Sequence, residues 1–235
     1  MFENLVPLDK KKHASYKLKI NDGFKFASTI SMSLLGGSEV AEASKFFPIV
    51  FPEKDAEKYP LLPMALMGLG TKNNLFVSDD GKWLAGYIPN HIKRYPFIFA
   101  AIPEKKKQFA VMMDMDAPQL NEKEGQPLFN SKGEPEKIVT QVKTFLTRFQ
   151  ADIDRTEKIL TDMENHDILV SKQFKIVQGE KKVVMRGFRV VDTKKLSGLD
   201  DAVLSSWVRN GLMGIIFAHI NSLTNIKKMR MSQAK

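Results

Sequence analysis

The 235 residues are 43% apolar and 27% charged, the make-up of an ordinary globular protein with enough apolar mass for a core, which argues against wholesale disorder. Cysteine is absent, which excludes disulfides, thiolate zinc sites and a cysteine nucleophile. The net charge of +9 falls entirely in residues 171–235, where 13 Lys and Arg face 4 Asp and Glu. Such a region suits nucleic acid, an anionic surface or an acidic protein, and equally a solvated face with a basic tail at 226–235.

From the start, MFENLVPLDKKK has no apolar core or small-residue cleavage site of a secretory leader. No stretch of about 18 uncharged apolar residues exists to span a bilayer. The expectation is a cytoplasmic protein, or one exported to the cell surface without an N-terminal signal. A first strand is expected near Ser15–Ile20, a turn at Asn21-Asp22-Gly23, and a paired strand over Phe24–Ser31. Gly36-Gly37 breaks the chain, and Ser38 is placed to cap a short helix reaching about Lys45. Phe46–Phe51 reads as a strand, with Pro48 marking an edge or a strand start, and Met64–Leu69 as another.

Residues 74–102 form the organising stretch. A short apolar run meets Asp79-Asp80-Gly81, a hairpin signal because glycine takes positive φ without steric cost. Pro89 suits the first turn of a helix over Asn90–Arg94, and Pro96 returns the chain to an extended run from Phe97 to Ile102. Phe109–Met113 is a further strand, followed by a long loop at 117–134 that marks a possible subdomain junction within a single domain over 1–235. Pro135 opens a helix to about Asn165, with Ile138, Val142, Phe145, Phe149, Ile153, Leu160 and Met163 on one apolar stripe. A second hairpin spans Phe174–Val177 and Val183–Val191, with a bulge expected at Gly187. Asp192 or Thr193 starts a one-turn helix, and Leu199–Met229 is helical in one or two pieces, with Gly211 and Gly214 allowing a bend or close packing. The fold class is therefore α+β: a mainly antiparallel sheet of short strands packed by a long central helix, about 135–165, and a C-terminal helical segment.

Chemistry is sparse. None of His13, His91, His166 and His219 has metal-ligand spacing to a second His or a carboxylate, so no metal and no cofactor is implied. Asp114 and Asp116 share one strand face and read either as a paired-carboxylate site or as solvated acids at a strand end. Trp83, Tyr87, Arg94 and Tyr95 are the most distinctive group. Exposed together they would make an aromatic and arginine recognition patch; packed together they are cross-strand pairs. His219, in an apolar helix beside Asn221 and Ser222, is either a buried hydrogen-bonded ring or a general base.

Phe47-Pro48-Ile49-Val50-Phe51, Ala65-Leu66-Met67-Gly68-Leu69, Asn74-Leu75-Phe76-Val77, Gly81-Lys82-Trp83, Tyr87-Ile88-Pro89, Arg94-Tyr95-Pro96-Phe97 and the Phe217–Leu223 run occur here in an order that resembles the bacterial SapC family over residues 3–225. That resemblance implies a link to surface-layer assembly or export and carries over no catalytic residues. Three functions follow. One is a non-enzymatic interaction protein with an unidentified protein partner bound through Trp83, Tyr87, Arg94 and Tyr95. Another is an enzyme or small-ligand binder with a site near His219 and the central hairpin. The third is nucleic-acid binding through residues 171–235.

Overall fold

The computed structural model describes residues 1–20, 23–53, 60–68, 70, 73–101, 109–178 and 181–232. In chain order these form β1 (Leu5–Pro7), β2 (Lys17–Leu18), β3 (Met32–Leu34), α1 (Val40–Ala43), β4 (Ile49–Pro52) and β5 (Met64–Leu66). Then come α2 (Asn90–Lys93), β6 (Phe97–Ala101), β7 (Phe109–Asp114), β8 (Leu120–Asn121), β9 (Gln126–Pro127) and α3 (Lys137–Asn165). The hairpin β10 (Leu169–Gln178) and β11 (Lys181–Val191) leads to α4 (Thr193–Ser197), α5 (Asp201–Asn210), α6 (Leu212–Ser222) and α7 (Asn225–Ser232).

The class is α+β, with the short strands divided among three antiparallel sheets in the orders β1-β7-β6, β10-β11-β4-β5-β3 and β8-β2-β9. At β4 and β5 the five-stranded sheet is buried on both faces, as the period-two alternation shows. Ile49, Phe51 and Ala65 enter one apolar cluster with Trp207, Ile215 and Ile216 of the C-terminal helices. Val50, Met64 and Leu66 enter another with Phe188, Val190 and Met229. The third cluster gathers Phe97, Val111 and Met113 of β6 and β7 with Leu18 and Leu128.

The helix α3 joins these regions. At about 1.5 Å per residue its 29 residues span roughly 44 Å. Val139 and Leu146 pack in the β6–β7 cluster, and Leu160 and Met163 in the cluster under β4 and α6. The buried positions Val139, Leu146, Phe149, Thr156, Leu160 and Met163 fall one residue out of phase with the expected stripe in its first half. Ile138, Val142 and Phe145 are only half buried.

Other expectations change with tertiary context. Residues Lys25–Ala27 form a single 3-10 turn, because Phe24, Ala27 and Ile30 recur every third residue toward the core; β2 pairs instead with β8 and β9 from the 117–134 stretch. Asn21 and Asp22 lie outside the described residues. Of the two readings of Pro48 the strand start holds: β4 is interior, between β11 and β5, and Pro48 precedes it, so its missing N–H costs the ladder nothing. The short helix after Gly36 is closed by Glu39, whose Oε2 accepts the Gly36 N–H at 3.0 Å, while Ser38 turns its hydroxyl to Asp152 at 2.6 Å. A Cβ at Gly36 would lie 1.9 Å from the Asp152 carboxylate, so a side chain there would push Asp152 off Ser38. The bulge expected at Gly187 is present, with φ of 93° and a register shift opposite Lys172 and Phe174; the hairpin's residues 179–180 lie outside the described residues. The C-terminal segment is three helices, the first break made by Gly211 at φ 88°. Among the described residues no helix is long and apolar enough to cross a membrane.

Candidate functional site

The short helix α2 divides the four aromatic and arginine candidates into two groups. On one side, Trp83 packs against Phe24 at 5.5 Å and Phe47 at 6.4 Å, and its Nε1–H donates to the Tyr87 carbonyl at 2.8 Å. The Tyr87 hydroxyl donates to Glu39 Oε1 at 2.7 Å, and the same oxygen accepts the Asn90 N–H at 2.7 Å. Glu39 is 3% exposed. Burial pushes its carboxyl pKa up, against the pull of the Asn90, Gly36 and Tyr87 donors, and burial together with Glu39 raises that of Tyr87. This side is a buried brace that fixes the start of α2.

On the other side lies a groove. Two adjoining cavities of about 270 and 310 Å³ share Leu18, Lys93, Tyr95 and Ile138 as their common wall. Phe26 and Gln119 line the first, and Arg94, Gln141 and Phe145 the second. Ile138 and Phe145 are therefore groove walls of α3. Tyr95 is fixed by stacking on Phe26 at 4.3 Å and an edge contact with Phe2 at 5.3 Å. Burial, and then the Asp114 charge, push its hydroxyl up to about 12.

Arg94 is the unusual member. Its guanidinium carbon lies 5.2 Å from the Phe2 ring and 5.4 Å from the Phe149 ring. Burial lowers its pKa to about 10, which leaves it a cation at neutral pH. Its Nε is buried without a partner, and no carboxylate among the described residues pairs with it. Buried cations ordinarily carry a hydrogen-bonded counter-charge. Gln119, 7% exposed, has its Oε1 likewise buried without a donor. Next to Arg94, His91 is held to about 3 by burial and then by the Arg94 charge, so its ring is neutral. Ser33 Oγ stands 3.5 Å from its Nδ1, at the limit of a hydrogen bond.

Asp114 and Asp116 do not form a paired site, nor are both solvated. Asp114 is buried and accepts the N–H groups of Asn4 at 3.1 Å, Glu3 at 3.2 Å and Asp116 at 3.3 Å. Burial alone would raise its pKa, and these donors outweigh it and lower it. Asp116 is exposed and accepts from the Asn4 side chain. The pair thus clamps β1 and Phe2 beside Arg94.

His219 is fully buried, away from both cavities. Its Nε2 accepts the Val191 N–H at 3.1 Å and its Nδ1 donates to the Ile49 carbonyl at 2.8 Å. Continuing the register Arg189↔Phe51 by two residues sets Val191 opposite Ile49, so the imidazole replaces a rung of the β4–β11 ladder. Ser222, one turn on, accepts the Ile49 N–H at 2.9 Å. Burial holds the ring's pKa down to about 4, slightly offset by the Ile49 carbonyl.

Within the basic region, Arg189 is committed to Glu164 and to the Pro52 carbonyl at 2.8 Å, and Lys195 to Asp167 at 2.6 Å.

The family model for SapC matches residues 8–229. The chain belongs to the SapC family. No curated protein and no solved structure matches it. On this SapC chain, Arg94 and Tyr95 meet at the groove, whereas Trp83 and Tyr87 do not line it, and His219 serves the sheet. Sequence reasoning missed Gln119 and Leu18, which sit in a loop and a two-residue strand without pattern, and Glu39, whose burial only the tertiary fold creates.

Proposed function

We propose that this SapC protein acts by binding, as an accessory of surface-layer assembly or export, and that the groove beside Arg94 is its binding site. The observation that carries the reading is the Arg94 guanidinium, enclosed by aromatic rings without a counter-charge and opening on an apolar groove. A ligand with an anionic group would supply the missing acceptor, and its apolar part would displace water from Leu18, Tyr95, Ile138 and Phe145. The groove walls bring donors and apolar surface, with no activated nucleophile among them, which favours recognition over covalent chemistry. The surface-layer connection rests on what the SapC family is named for.

The test uses anilinonaphthalene sulfonate, a fluorescent apolar anion. The expected outcome is saturable binding that Arg94→Gln weakens roughly tenfold or more, the worth of one hydrogen bond to a charged group. Ile138→Trp, which fills the wall common to both cavities, should abolish it while circular dichroism stays native. Equal fluorescence in the protein and both variants would remove the groove from consideration.

A further inference from the structure

We infer that the occupant of this groove is an extended segment of another polypeptide, carrying two apolar side chains and a carboxylate; the inference rests on the binding reading above. Two features select that class. First, the guanidinium fork has five N–H donors in a plane, and its Nε–H is buried without an acceptor among the described residues. A carboxylate answers this geometry with two parallel hydrogen bonds. Second, the groove is not one channel. Two cavities of about 270 and 310 Å³ meet at the wall of Leu18, Tyr95 and Ile138, each small for a whole cofactor but suited to a single large side chain. An unbranched acyl chain would fill one and leave the other wet, whereas a peptide sends side chains into both.

The pieces assign positions within the ligand. The carboxylate sits at Arg94; the Lys93 stem lines the same wall, while its ammonium turns to the Tyr87 ring, 5.0 Å from the centroid. One apolar side chain packs between Phe145 and Tyr95, and a second packs against Phe26 and Ile138. The walls are largely formed beforehand, since Tyr95 is already stacked on Phe26 and Arg94 already flanked by rings. Little ordering cost is then left to binding.

The experiment presents the full chain with a library of acetylated tetrapeptides built from Leu, Phe, Val and Gly, once with free C-terminal carboxylates and once amidated, alongside decanoate. The expected result is retention of free-acid members, with amidated counterparts about tenfold weaker. Arg94→Gln should erase the difference between acid and amide, since the lost interaction is the same in both changes. Ile138→Trp should remove binding of peptides, decanoate and the sulfonate dye alike. Binding of decanoate or the dye with no peptide retained overturns the peptide assignment and leaves the binding reading standing. Peptides retained equally by Ile138→Trp overturn it as well, by placing their site elsewhere. Failure of peptides, decanoate and dye together overturns both.

Discussion

At the scale of single residues, the groups that look most chemical in the sequence divide between architecture and the walls of the groove. His219 spends both ring nitrogens on the backbones of Val191 and Ile49, so His219→Ala should orphan two buried backbone groups and cost on the order of 3–5 kcal/mol in urea unfolding. It also sets a pH dependence. The ring's pKa falls from 6.5 when unfolded to about 4 when folded, and that of His91 falls to about 3. A depressed pKa means the unfolded chain binds the proton first, so stability is full above pH 6.5 and is lost as pH falls toward 4. Glu39 has the opposite sign, its raised pKa removing stability as pH rises through its titration. Proton uptake on unfolding between pH 6.5 and 4 should therefore drop by about one in His219→Gln and again in His91→Asn, as read from the slope of stability against pH. Residue chemistry singled out Trp83, Tyr87, Arg94 and Tyr95 as one group, of which Arg94 and Tyr95 line the groove, and left His219 undecided. Nothing in the sequence marked Gln119, because a lone glutamine in a loop is made distinctive only by the walls that bury it.

At the scale of elements, α3 explains why a correct helix carried a half-wrong face. Its apolar residues in the first three turns are too many for one stripe: Val139 and Leu146 are core, while Ile138 and Phe145 are groove wall. A surplus of apolar residues beside a core stripe is what a binding face looks like in sequence, and periodicity cannot say which of two adjacent rows faces inward. Placing a charge on each row should separate them. Val139→Asp should cost about 3 kcal/mol or more as an unpaired buried charge, and Ile138→Asp about 1 kcal/mol or less, in thermal or urea unfolding. The hairpin β10–β11, its bulge at Gly187 and the turn at Asp79-Asp80-Gly81 were legible because they rest on local rules. The reassignment of β2 to β8 and β9 was not, since those partners lie about a hundred residues away and are two residues long.

At the scale of the whole molecule, α3 is the strut between the cluster around β6 and β7 and the one under β4 and α6. We propose that this makes one cooperative unit of residues 1–235. Urea unfolding followed by Trp207 fluorescence should then coincide with loss of amide protection at Val111 and Met113, although these report different clusters. Two separated midpoints would mean that the strut does not couple them. The α+β class and the antiparallel pairing were legible from alternation and turns, but the division into three sheets was not, because it depends on which short strands meet.

The clamp at Asp114 has a consequence for the order in which the protein is made. The Asn4 N–H finds its acceptor 110 residues later. At about 5–20 residues per second, the segment that becomes β1 leaves the ribosome roughly 5–20 s before its partner exists. Lys17 and Leu18 wait as long for Leu120 and Gln126. During that interval both are open strand edges, the surfaces most prone to mispairing, and Lys10, Lys11, Lys12 and Lys17 keep the stretch charged. The groove, drawing on Leu18, Arg94, Gln119 and Ile138, closes only when α3 has emerged. A nascent chain halted before that helix would carry the cation without its enclosure.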